Sequence, residues 1–186
     1  MSEPLKILGV AGSLRRASLN RSLLRAAASM MPEGAMLTIA EYADLPPYDA
    51  DLVTDEGPPA SVQRFIDAIG RADGVLIATP EYNYSIPGVL KNAIDWASRP
   101  AYRSVFAGKD VAVMSAAPGM LGGVRAQAHL KSVLLGMAAR PFPHPEVCVP
   151  QAADKLDGDR ITDEVTAKFV QGLLDAFCGW LRSNRR

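Results

Sequence analysis

The sequence predicts an α/β fold: a doubly wound five-stranded parallel sheet in the order 2-1-3-4-5, with helices on both faces. Three observations predict it. Short aliphatic runs, such as residues 5–11, 74–78 and 111–115, lack polar alternation and read as strands buried on both faces. Segments with apolar residues at helical spacing separate these runs in strict alternation, which implies parallel strands joined by helices. No composition break, internal repeat or low-complexity linker interrupts the 186 residues, so a single domain over 1–186 is expected.

The first strand is Leu5-Lys6-Ile7-Leu8-Gly9-Val10-Ala11. A polar loop, Gly12 to Asn20, leads into a helix whose apolar stripe is Leu23, Leu24, Ala27 and Met31; Pro32-Glu33-Gly34 ends it. Residues 36–40 form the second strand. A long polar segment, 41–59, carries Pro46-Pro47 and Gly57-Pro58-Pro59; loops of this length are usually functional or mobile. Val62, Phe65, Ile66 and Ile69 mark the second helix, and residues 74–78 the third strand. The next helix is expected to begin near Ser85, with Pro87 in its first turn and Ile86, Val89, Leu90, Ala93, Ile94 and Ala97 on its buried face; Asp95 and Trp96 read as surface and packing. The fourth strand follows Gly108-Lys109-Asp110. Leu130, Val133, Leu134 and Met137 stripe the fourth helix, and the fifth strand lies around 146–149. Residues 154–160 read as a surface turn. The last helix has Thr162 as its expected N-cap and Val165, Phe169, Leu173, Ala176, Phe177 and Trp180 as its stripe; Arg182, Arg185 and Arg186 form a solvated basic end.

Five strands are too few for a closed eight-stranded barrel. The flavodoxin-like order 2-1-3-4-5 is the common five-stranded solution and puts its switch point between strands 1 and 3. The loops after those two strands are the most chemically loaded in the sequence.

Bulk properties exclude several classes. Apolar residues make up 48% and charged residues 22%, with twenty basic against twenty acidic side chains. A net charge of zero gives no electrostatic case for nucleic acid or anionic membrane. No apolar run reaches spanning length, and the first six residues lack the basic region and apolar core of a signal peptide. Cys148 and Cys178 form no CxxC pair and read as two reduced, buried thiols, so a cytoplasmic location is expected. His129 and His144 have no second ligand at metal spacing, so no metal is expected; no G-x-S-x-G elbow points to Ser-His-Asp hydrolysis.

The first loop offers Ser13, Ser18, Asn20, Arg15, Arg16 and the N–H groups of a helix start, a set that would hold a phosphate. The same residues also suit a plain Ser18 N-cap with solvated arginines. It is neither GxGxxG nor GxxxxGK[ST]. In the third loop a flat ring could lie along Pro80, Tyr82, Asn83 and Tyr84; the alternative is that the tyrosines only cover the core. Glu81 is expected to be structural. The fourth loop brings Ser115, Gly119, Gly122 and Gly123, either for close backbone approach to a ligand or as a flexible turn.

With Gly12-Ser13-Leu14-Arg15-x-x-Ser18-x-Asn20 and Pro80-Glu81-Tyr82-Asn83-x-Ser85-x-Pro87-Gly88-x-Leu90-Lys91-Asn92-Ala93-Ile94-Asp95-Trp96, the chain resembles the NADPH-dependent FMN reductases, most of all the bacterial quinone and chromate reductases. Gly122-Gly123-x-Arg125-x-Gln127 and Leu45-Pro46-x-Tyr48-Asp49 extend the match; the last forty residues fit in pattern only. The resemblance implies non-covalent FMN, with Ser13, Arg15, Ser18 and Asn20 on the phosphate. Pro80, Glu81, Tyr82 and Asn83 would line the ring, and Ser115 and Gly119 would approach the ring or ribityl chain. It implies electron transfer from NADPH or NADH by way of FMN to quinones, chromate, azo compounds or flavins in a ping-pong order. No side chain is then an essential acid or base, because the cofactor carries the chemistry. It also implies a homodimer or homotetramer, with Arg125 and Glu146 either at subunit contacts or in surface ion pairs. A non-enzymatic flavodoxin-like carrier or flavin-binding module is the alternative, weakened by the neutral net charge.

Overall fold

The computed structural model describes residues 3–184. Four parallel strands, β1 (Leu5–Ala11), β2 (Ala35–Ile39), β3 (Gly74–Ala78) and β4 (Asp110–Ala116), stand in the order β2-β1-β3-β4. The fifth position is shared by two short pieces, β5 (Arg140–Pro141) and β6 (Val147–Val149), both paired in parallel with β4. The expected fifth strand is therefore split. β5 pairs with the start of β4 and β6 with its end, and the prolines at 143 and 145 fall in the gap, where a missing N–H breaks no ladder. The order 2-1-3-4-5 is as the sequence predicts.

Helices α1 (Leu19–Ser29) and α5 (Glu164–Asn184) pack with one apolar cluster that holds Leu23, Leu24, Leu76, Met114, Leu173 and Phe177. Helices α2 (Ala60–Arg71), α3 (Gly88–Ala97) and α4 (Val124–Gly136) pack with a second, around Phe65, Ile69, Ile77, Leu90, Ile94 and Leu130. β3 is buried along its whole length between them, as an unalternating run requires. Residues 156–161 form a small hairpin, β7 (Leu156–Asp157) and β8 (Arg160–Ile161), where the sequence reads as a turn.

Three helix assignments need correction. α3 starts at Gly88, three residues later than expected, because 82–85 closes into its own turn. The N-cap of α5 is Asp163, whose carboxylate accepts from Thr166 N–H at 2.8 Å, not Thr162. Val165 and Phe169 are 60% and 63% exposed, so the buried stripe of α5 is Val170, Leu173, Leu174, Phe177, Cys178 and Leu181. Arg185 and Arg186 lie outside the described residues. Among the described residues no helix is long and apolar enough to cross a membrane.

The 41–59 segment is fastened rather than loose. Asn92 donates to Pro46 O (2.9 Å) and accepts from Tyr48 N–H (2.7 Å), while the buried Trp96 donates its indole N–H to the same Pro46 O at 2.9 Å. Trp96 thus has a structural task that its helical position alone does not reveal.

Candidate functional site

A cavity of about 380 Å³ opens at the carboxyl ends of β1, β3 and β4, the switch point of the sheet. Its lining comes from three loops: Ser13, Arg15, Ala17, Ser18, Leu19 and Asn20; Pro80, Glu81 and Tyr82; and Ala116, Ala117 and Pro118. Its size lies within the range of small-molecule sites. The first two loops touch because of Gly12, where a Cβ would fall 2.6 Å from Thr79 Oγ1 and 2.9 Å from Thr79 Cα. Any larger residue there would force the loops apart.

One end of the cavity gathers groups of the kind that cradle an anion. Ser18 is the N-cap of α1 and accepts from Arg21 N–H at 3.3 Å. The first turn of that helix presents N–H groups with no intrahelical acceptor, at the positive end of the helix dipole. Ser13 is buried, and its hydroxyl lies 3.4 Å from Arg15 N and 3.5 Å from the Tyr82 hydroxyl. Arg15 is exposed and has no ion-pair partner among the described residues, so its charge is available at the cavity mouth. The other walls, Pro80, the Tyr82 ring, Ala116, Ala117 and Pro118, are largely apolar.

Seven of the predicted site residues, Ser13, Arg15, Ser18, Asn20, Pro80, Glu81 and Tyr82, come together in this lining. Two of them have other duties. The Asn20 side chain donates to Ala116 O and accepts from Ala116 N–H, both at 2.8 Å, so its amide braces the end of β4 against α1. Glu81 turns its carboxylate to the start of α4, accepting from Arg125 N–H (3.1 Å) and from the Arg125 guanidinium (2.7 Å). Burial acts to raise that carboxyl, but the hydrogen bonds and charge of Arg125, with a further bond from Ala126 N–H, outweigh it and hold it below the usual carboxylate range.

Asn83, Ser115 and Gly119 lie outside the lining. Asn83 and Tyr84 have φ of 49° and 67°, and Tyr82 and Ser85 exchange backbone hydrogen bonds, so this pair forms the tip of a tight turn aimed at solvent. The Arg125 guanidinium stacks 4.1 Å from the centre of the Tyr84 ring. Ser115 is fully buried, and Gly119 is exposed with its carbonyl bound to Gln151 N–H. Arg125 and Glu146 both make ion pairs within the chain, to Glu81 and Lys131. Sequence reasoning missed Ala17, Leu19, Ala116, Ala117 and Pro118, which contribute shape and backbone and carry no chemical signal. No group of three or more His, Cys, Asp or Glu gathers for a metal among the described residues.

A family model described as NADPH-dependent FMN reductase matches residues 5–154. The chain is 41% identical over 186 residues to an NAD(P)H-dependent FMN reductase of Pseudomonas aeruginosa, covering all of both. It is 40% identical over 185 residues to a quinone reductase of Pseudomonas putida, covering all of this chain and 99% of that one. Among solved structures, the flavoenzyme NAD(P)H:(acceptor) oxidoreductase FerB of Paracoccus denitrificans superposes with a TM-score of 0.87 at 40% identity, covering 96% of this chain and 98% of that one.

Proposed function

The chain belongs to the NADPH-dependent FMN reductase family, an oxidoreductase family with FMN as cofactor and NAD(P)H as donor, and from that premise we propose that it reduces quinones in a ping-pong order. The observation that carries this reading is the cavity at the switch point, polar and cationic at one end and flat and apolar along its walls. That division suits a ligand with a phosphate at one end and a conjugated ring at the other. FMN, when bound there, supplies two-electron chemistry between the nicotinamide and the acceptor.

The chain's own residues bind and orient. Ser13, Ser18, Arg15 and the first turn of α1 hold the phosphate, the last two by charge and the hydroxyls by direction. Pro80, Tyr82 and the Ala116–Pro118 segment line the ring and exclude water from its faces. Asn20 and Glu81 act one step back, fixing the walls. No side chain in the lining stands as an acid–base pair, consistent with residues that position rather than transfer protons. Quinones are the acceptor class favoured by the similar quinone reductases; chromate, azo compounds and free flavins are further candidates under the same chemistry.

The exposed apolar side chains Tyr84, Val89, Met120, Leu121 and Val124 sit on the loops and helix starts that border the site. A patch of this kind on a small domain marks an interface, which supports a homodimer or homotetramer with the site near its boundary.

Arg15→Ala tests the phosphate assignment. Loss of a charge-assisted contact is expected to weaken FMN binding roughly 10- to 100-fold. Riboflavin, which lacks the phosphate, should bind the variant as it binds the parent chain. Equal losses for both flavins, or no loss for FMN, would refute the assignment.

A further inference from the structure

Gln127 lies on α4 with none of its surface exposed and is absent from the cavity lining. Its Nε2 donates to Ser115 Oγ at 2.7 Å and Val147 O at 3.0 Å, and approaches Cys148 Sγ at 3.2 Å. Its Oε1 finds no donor among the described residues. Ser115 Oγ donates onward to Gly122 O at 2.5 Å. Gly123 follows with φ of +89°, and a Cβ there would stand 2.9 Å from Ser115 Cβ, so the chain returns directly onto that serine.

The segment 116–122 is thus a loop tied at both ends to one hydroxyl. Ser115 precedes it, Gly122 closes it, and Gln127 fixes the hydroxyl that joins them. Ala116, Ala117 and Pro118, in the first half of this loop, form one wall of the cavity. Asn20 holds the same wall from the opposite side through the Ala116 peptide groups.

A carboxamide is an expensive choice for a core position. Its unpaired oxygen costs stability that an apolar side chain of similar volume would not. Cys148 does not repay the cost through reactivity, since burial pushes its thiol up, away from the thiolate. What the amide achieves at this position is the direction of the Ser115 hydroxyl.

We propose that Gln127 is a positioning residue for the flavin site, setting the wall formed by residues 116–118 through Ser115 and Gly122, and serving flavin affinity rather than stability. The inference rests on the FMN reading of the cavity. On that reading residues 116–118 border the ring and ribityl part, so disturbing them affects FMN and riboflavin alike.

The test uses the full chain carrying Gln127→Leu and, separately, Gln127→Met, with urea unfolding, backbone amide hydrogen exchange on flavin-free protein, and titration with FMN and riboflavin. The expected result is an unfolding midpoint close to that of the parent, because loss of the Nε2 bonds is offset by removal of the unpartnered Oε1, with exchange accelerated at 117–123 and not across the sheet. Affinity for both flavins should fall by the same factor, about tenfold, the net worth of one well-placed hydrogen bond. Unchanged exchange in that loop, or unchanged flavin affinity in a folded variant, overturns the proposal. So does a lowered midpoint with exchange raised throughout, or failure of both variants to fold, each of which makes Gln127 a stability residue. A parent chain that binds neither flavin overturns the FMN reading itself and the affinity role with it; local acceleration of loop exchange would then distinguish that failure from an error in the Gln127–Ser115–Gly122 linkage.

Discussion

Replacing Asn20 by alanine removes two hydrogen bonds of 2.8 Å at once, and both serve the same buried residue, Ala116. An orphaned buried donor or acceptor costs about 1–3 kcal/mol, so two would cost roughly 2–6 kcal/mol if nothing replaced the amide. Ala116 borders the cavity, from which water can reach its peptide groups, and this moves the expectation to the lower part of that range, about 2–3 kcal/mol. For a chain of this size that is roughly a 4–12 °C fall in Tm. The assay is urea unfolding followed by circular dichroism on flavin-free protein, so that ligand linkage does not enter. Asn20→Asp sharpens it. The carboxylate still accepts from Ala116 N–H but faces the Ala116 carbonyl with a second oxygen, so it should be at least as damaging as alanine near neutral pH. A loss below about 0.5 kcal/mol in both variants, the level of an ordinary surface substitution, would refute the brace.

Two further predictions follow from the site and its rim. For Glu81→Gln, the parent chain's stability advantage, on the order of 1 kcal/mol, should be present above the ordinary carboxyl pKa of 4.5 and disappear as pH falls through the depressed folded value. A difference that is flat across urea unfolding curves from pH 7 to 3 would contradict the Arg125 linkage. For the oligomer, sedimentation equilibrium should give a mass of at least two chains, and Leu121→Asp with Val124→Asp should reduce it; a parent chain that sediments as a monomer removes the interface assigned to the rim.

The sheet order, and the meeting of the first and third loops at its switch point, were legible because they rest on coarse signals. Strand runs without polar alternation mark a covered parallel sheet, and a Ser-rich loop before a helix is the pattern expected of an anion cradle. What stayed hidden was how polar side chains divide their hydrogen bonds. Asn20 is close to the cradle in sequence, yet its amide bonds to Ala116, ninety-six positions away. Glu81 caps a helix from across the site, a partnership that no local spacing encodes. Val165 and Phe169 share helical spacing with Phe177, and periodicity alone cannot show that α5 rolls its Val170–Leu174 side onto the sheet. The turn at Asn83–Tyr84 delays α3 because a tyrosine with positive φ is held there by its neighbours, including the Arg125 stack, against its own preference.

The most direct measurement of the central claim is an anaerobic visible spectrum of the FMN-loaded protein while NADPH and then benzoquinone are added. The account predicts that NADPH alone bleaches the flavin band with no acceptor present, and that one equivalent of quinone restores it, the two half-reactions running separately as a ping-pong order requires. A protein that stays colourless after reconstitution with FMN, or whose flavin band is untouched by NADPH and NADH, would contradict it.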